Sequence, residues 1–285
     1  MSRTEYICET YSFPAFIERV ARRLDLRDSD VWEDSSKTGS AKFTQTNSLA
    51  EAVGLLRKGW PEGAAKIIGG LDTLSHLQTT MTAAPAVVYD MGGEVPDVGL
   101  YCAGERAHMM TFEPGEERIA PVVRIQFDGC YAAKTVAQQV ENQGIALLSC
   151  IDELERAGRS VELVWGACTR GTEGGDILFN VDVMLKEAGA HFDVDRAAFA
   201  LAHPSMLRRM WFAIAEQNPK CRALSGNYGS VRRLPKDQQQ PGVWYLPSVA
   251  DLGGCYDLGE TVTAIQTWIL GNLTAEQTLI EGETA

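Results

Sequence analysis

Three stretches, PVVRIQFDG (121–129), TVAQQVENQGIALLSCIDELERAG (135–158) and SVELVWGAC (160–168), follow one another closely, and their reading decides the fold. The first and third are short, β-branched and bounded by glycine or a polar turn, which is strand chemistry. Between them Val136, Val140, Leu147, Ile151 and Leu154 recur at helical spacing, and Gly158 supplies a stop. Strand, long helix and strand in this order make a βαβ unit, so the two strands are expected to pair in parallel.

Working outward toward the C-terminus, TRGTEGGD is a turn and ILFNVDVML (177–185) alternates apolar with polar residues, which fits an antiparallel hairpin partner for 160–168. DVDRAAFALAHPSMLRRMWFAIAEQ (193–217) reads as helix divided near Pro204, GVWYLPSV (242–249) as a further strand and GETVTAIQTWILGNL (259–273) as a closing helix. Toward the N-terminus, SFPAFIERVARRLDL (12–26) is an amphipathic helix opened by Ser12, and WEDSSKTGSAKFTQTN (32–47) reads as loop. Ser48 caps the next helix, with Glu51 at capping-box spacing, and Pro61 breaks that helix and opens another. Residues 84–117, punctuated by Gly and Pro, suggest one or two short strands. The expectation is an α/β fold: a mostly parallel sheet covered by helices on both faces over 119–285, preceded by a mainly helical region over 1–118.

Composition narrows the class. The chain has 285 residues, 45% of them hydrophobic, and no apolar run approaches the length that crosses a bilayer. The N-terminus lacks a secretory layout, and the seven cysteines are odd in number and unpaired in spacing, so a cytoplasmic protein without disulfides is expected. No G-x-S-x-G elbow, no P-loop and no clustered His/Cys ligand spacing is present, and no cofactor is expected. Asp90 and Asp97 flank a glycine pair, but such aspartates are turn formers as readily as catalytic pairs.

Charge is the strongest functional signal. Net charge is −12, yet residues 201–236 hold seven Lys/Arg against one acid, Glu216, whereas 237–285 hold seven acids and no Lys or Arg. Arg208, Arg209, Phe212, Lys220, Arg222, Tyr228, Arg232, Arg233 and Lys236 interleave cations with rings, a combination that tracks the backbone of single-stranded nucleic acid and stacks on its bases. SGNYGS (225–230), flanked by Arg222, Arg232 and Arg233, is also a candidate anion nest. The bland alternatives are burial of the rings, pairing of the arginines with the acidic tail, or docking on an acidic protein.

The order of elements over about 120–275 resembles a von Willebrand factor type A domain. That family places Asp-x-Ser-x-Ser after its first strand to hold a divalent cation that bridges to a partner. Here Asp128-Gly129-Cys130-Tyr131-Ala132 stands at the matching place, so Asp128 is kept while Cys130 and Ala132 replace the serines. A thiol and a methyl are poor ligands for a hard cation, which implies a degenerate site without metal. The phrases SLAEAVGLLRKGWPEGAAKI, PDVGLYCAGE, DELERAGRSVELV and AFALAHPSMLRRMWFAI resemble an uncharacterised family of tailed-phage and prophage proteins. The phage resemblance implies context only, a phage-encoded accessory protein. Joined to the basic segment at 208–236, the expectation is a non-enzymatic protein that acts by partner binding, on single-stranded nucleic acid in phage transcription or replication or on a phage or host protein. A protein–protein adaptor acting near Asp128 and an enzyme of unrecognised class are the alternatives.

Overall fold

The computed structural model describes residues 5–31, 33–75, 87–92, 95–96, 98–112, 122–171, 177–190, 193–224 and 234–283. The strands, in chain order, are β1 (Glu5–Ser12), β2 (Val87–Asp90), β3 (Val95–Pro96), β4 (Met109–Phe112), β5 (Val122–Asp128), β6 (Ser160–Gly171), β7 (Ile177–Lys186) and β8 (Val243–Leu246). Five of them form one sheet in the order β1-β7-β6-β5-β8, and β2-β4-β3 form a small antiparallel sheet.

The βαβ expectation is met: β5 and β6 pair in parallel, Val122 opposite Ser160, around the Ala137–Arg156 helix. That helix ends where Gly158 takes φ 80°, a left-handed position that suits glycine. β7 runs antiparallel to β6, and β8 adds in parallel to β5 on the far side. β1 was not foreseen. Its residues pair in parallel with β7, Glu5 opposite Ile177 through Ser12 opposite Met184. The strand then turns directly into the Phe13–Asp25 helix, where Ser12 Oγ accepts the Ala15 N–H.

Strand pairing, parallel between β5 and β6 and antiparallel between β6 and β7, puts Val123, Ile125 and Phe127 on the same face as Val161, Leu163, Trp165, Phe179, Val181 and Val183, all buried. The Phe13–Asp25, Ala137–Arg156 and Leu258–Glu283 helices pack on the sheet, and the 49–58 and 61–75 helices pack on helices in turn. The Phe13–Asp25 helix follows Tyr11, Trp211 meets Phe179, and Trp268 of the Leu258–Glu283 helix meets Trp244. One hydrophobic core therefore crosses residue 118: Phe16, Val20, Leu49, Leu56 and Ile67 belong to the same cluster as Ile125, Leu147, Phe199 and Ile265. The expectation of helices on both faces is corrected. Among the described residues no α-helix packs on the opposite face, which carries Arg124, Gln126, Asp128, Glu162, Gly166, Cys168, Asn180, Asp182 and Tyr245. Polar side chains at alternate strand positions leave that face little reason to attract an apolar helix.

Two of the largest fully buried side chains are arginines, Arg23 and Arg209. Arg23 bonds Glu216 through Nε at 3.0 Å, with both side chains fully buried. Among the described residues no helix is long and apolar enough to cross a membrane.

Candidate functional site

The basic segment is built differently from its sequence reading. After His203 and Pro204 the chain winds through six π-helical residues, Met206–Trp211, then an α-helical turn, Phe212–Glu216, all buried. Arg208 is one of them: its guanidinium stacks 4.0 Å from the Phe43 ring centre and 5.0 Å from that of Tyr131. It donates to the Phe43, Ala133 and Thr135 carbonyls. Arg209 donates to the Ser36, Lys37, Gly39 and Thr46 carbonyls and to Thr46 Oγ1. Burial lowers the pKa of both arginines. Phe212 is 4% exposed and packs edge-on to Trp211.

These three residues are withdrawn from any nucleic-acid contact, and the reason is physical. The polar 32–47 stretch folds into two short helices, Ser35–Thr38 and Ala41–Thr44, whose carbonyls need donors, and Arg209 supplies them. Arg208 and Arg209 do not clasp the acidic tail; they bond backbone carbonyls, and Glu276 of that tail pairs instead with Arg159. Glu216, the single acid of the segment, bonds Arg23 and the Ser36 amide. Lys220 is exposed and paired with Glu5. Arg222 lies in the Pro219–Leu224 turn, its side chain outside the described set, and Tyr228, Arg232, Arg233 and the 225–230 nest fall outside the described residues. Lys236 is exposed at the rim of a cleft.

That cleft, about 590 Å³, opens at the carboxyl ends of β5 and β8 on the polar face of the sheet. Gln126, Asp128, Gly166 and Asn180 floor it, and Leu234–Lys236 with Tyr245–Pro247 wall it. Carboxyl ends of parallel strands, where the loops diverge, are where α/β sheets place ligands. The floor is tied together: Gln126 Nε2 and Asn180 Nδ2 both donate to Asp182 Oδ1, at 2.7 and 2.9 Å. The Gln126 bridge passes over Gly166, where a Cβ would stand 2.6 Å from Gln126 Nε2. Burial raises the Asp182 carboxyl above its ordinary range, while its amide donors pull the other way.

Asp128 closes a turn, its Oδ1 accepting the Cys130 N–H at 2.9 Å. Cys130 is buried and donates to the Cys168 carbonyl, and burial holds its thiol well above the ordinary value; Ala132 offers no side-chain ligand. Among the described residues no three His, Cys, Asp or Glu side chains stand together as metal ligands would. Asp90 caps the Met91 N–H as a turn former, and Asp97 lies outside the described residues. Sequence reasoning missed Gln126, Gly166, Asn180, Asp182 and Tyr245. The available signal was polar residues at every second position, 124, 126 and 128 on one strand and 180 and 182 on another.

The family model described as Domain of unknown function (DUF7192) matches residues 3–254. The chain belongs to this family. The DUF7192 match begins before β1 and ends past β8, so it takes in all five strands of the main sheet and the whole cleft, and stops short of the closing helix. No curated protein and no solved structure matches the chain. The likeness to von Willebrand A domains and a phage origin gain no support from these comparisons.

Proposed function

We propose that this chain is a non-enzymatic binding protein that engages a partner protein through the cleft at the carboxyl ends of β5 and β8. The observation that carries this is the juxtaposition of a polar sheet face, on which no described α-helix packs, with a cleft of about 590 Å³. Its walls are apolar at Leu234, Pro235, Leu246 and Pro247 and its floor is rich in amides, the mixture that receives an amphipathic side chain or a short peptide stretch. The neighbouring thiols argue for binding rather than chemistry. Burial pushes the Cys168 thiol up to about 12 and holds the Cys130 thiol well above its ordinary value, so neither supplies a thiolate near neutral pH.

The nucleic-acid reading has lost Arg208, Arg209 and Phe212 from its nine residues. A crosslinking experiment separates the two. With a benzoylphenylalanine in place of the exposed Lys236, irradiation of cells that carry the protein should give a protease-sensitive adduct. The same group at Leu270, on the closing helix, should give none. Equal adducts at both positions, or none at Lys236, would end the proposal. A nuclease-sensitive adduct at Lys236 would instead move the assignment to nucleic acid.

A further inference from the structure

A second cleft, of about 460 Å³, lies among the helices and is independent of the sheet-edge reading. Its chemistry comes from Glu51, Trp60, Glu62, Lys66, Glu141 and His203. The sequence assembles these by ordinary helix rules. Ser48 caps the Leu49–Lys58 helix and so puts Glu51 in its first turn. Pro61 starts the next helix, which places Glu62 and Lys66 four apart on one face. Trp60 sits at the junction, its backbone N–H donating to the Asp195 carbonyl, and its ring lies so close to Gly63 that a Cβ there would stand 1.9 Å from it. Glu141 enters from the Ala137–Arg156 helix.

His203 forms the back wall. It is 4% exposed, stacked on Phe199 at 4.7 Å and 15°, and edge-on to Trp60 at 4.7 Å and 83°. Its Nδ1 accepts the Ser205 N–H at 3.1 Å, so the ring proton resides on Nε2. Burial keeps the ring neutral, with a pKa lowered to about 4. Among the described residues nothing accepts the Nε2 proton, and Nε2 is not among the sealed, unpartnered polar atoms, so it reaches open space. The ring lines this cleft and also a cavity of about 10 Å³ whose other walls are almost wholly apolar, and of the two only the cleft has room for a ligand. A donor on a side chain this deeply buried calls for an acceptor from outside.

The rest of the cleft asks for a cation. Lys66 Nζ bonds Glu141 at 3.1 Å and stands 5.7 Å from the Trp60 ring centre, so an ammonium is already accommodated between indole and carboxylate. Glu51 and Glu62 add two more carboxylates, and Glu51 commits only its Oε2, to the Asn47 amide.

We infer that this cleft binds a small organic cation carrying an oxygen acceptor beside its amine, an amino alcohol or amino sugar. The ammonium sits among Glu51, Glu62 and Glu141, and the neighbouring oxygen accepts the His203 Nε2 proton.

The full chain would be titrated with glucosamine, ethanolamine, glucose and N-acetylglucosamine while the imidazole resonances of its four histidines are followed by NMR. His203→Gln assigns the responding ring. Glucosamine is expected to shift the His203 signals saturably, with glucose and N-acetylglucosamine at least roughly tenfold weaker because they lack the ammonium. Ethanolamine matching glucosamine would place recognition in the amino alcohol alone; a large advantage for glucosamine would place it in the sugar ring as well. The exposed pair Glu51→Gln and Glu62→Gln should weaken binding roughly tenfold with the fold intact by circular dichroism. No saturable shift of His203, equal binding of glucose, or indifference to the two glutamine substitutions would overturn the assignment.

Discussion

Arg209 carries a charge into the interior with only neutral groups as its hydrogen-bond partners. The guanidinium fork suits this because its five N–H groups spread over several carbonyls at once, where an ammonium would reach fewer. Arg209→Met keeps most of the volume and strands the carbonyls of Ser36, Gly39 and Thr46. Urea unfolding should show a loss of about 3 kcal/mol or more, with faster amide exchange confined at first to 35–46, and Arg209→Lys should recover little of it. His203 sets a pH dependence of definite sign. Its pKa falls from 6.5 to about 4 in the folded protein, so between those limits the unfolded chain takes up a proton that the folded chain refuses. Stability from this group is therefore complete above pH 6.5 and drains away as pH falls toward 4, by about 3 kcal/mol in all. Asp182 and Glu216, both raised by burial, work in the opposite direction on acidification. The informative measurement is thus the difference between wild type and His203→Gln across that range. A difference that does not change with pH would refute the assignment to His203.

At the scale of elements, the sequence was legible wherever one residue pattern served one purpose. The Ala137–Arg156 helix, β5 through β8, and the helices opened by Ser12, Ser48 and Pro61 all carry periodic apolar positions and local start or stop signals. β1 escaped because EYICETYS alternates exposed with half-buried residues at a sheet edge, and its acids and hydroxyls mask a weak apolar side. The short helices over 35–44 escaped for another reason. Serine, threonine and glycine spell loop locally, and the donors that order them come from Arg209, far along the chain. The site was misread by the same route. A run of cations beside rings looks alike whether it faces solvent or folds inward, and only the carbonyls waiting at 36–46 and 133–135 decide which. The polar sheet face was written plainly in Gln126, Asp128, Asn180 and Asp182, but alternation alone does not distinguish a solvated face from a ligand floor.

At the scale of the whole molecule, the sheet and the N-terminal helices are one cooperative unit, because each completes what the other leaves open. β1 covers the outer edge of β7, Phe16 and Val20 join the cluster that holds Phe179 and Trp211, and Arg23 neutralises the buried Glu216. A fragment of 119–285 would keep four strands and its crossover helix, yet it would expose the face of the 193–217 segment that the 49–58 and 61–75 helices cover. It would also leave Glu216 without Arg23 and the Ser36 amide and Arg209 without Ser36, Gly39 and Thr46, losses that compound because they share one neighbourhood. The fragment should therefore bind a hydrophobic dye, give poorly dispersed amide resonances and melt without a sharp transition, whereas the full chain melts in one step. Supplying 1–118 in trans should restore dispersion if the lost contacts are the cause. A fragment that is well dispersed and melts cooperatively on its own would mean that the sheet carries a self-sufficient core, and that the contacts across residue 118 join two units instead of completing one.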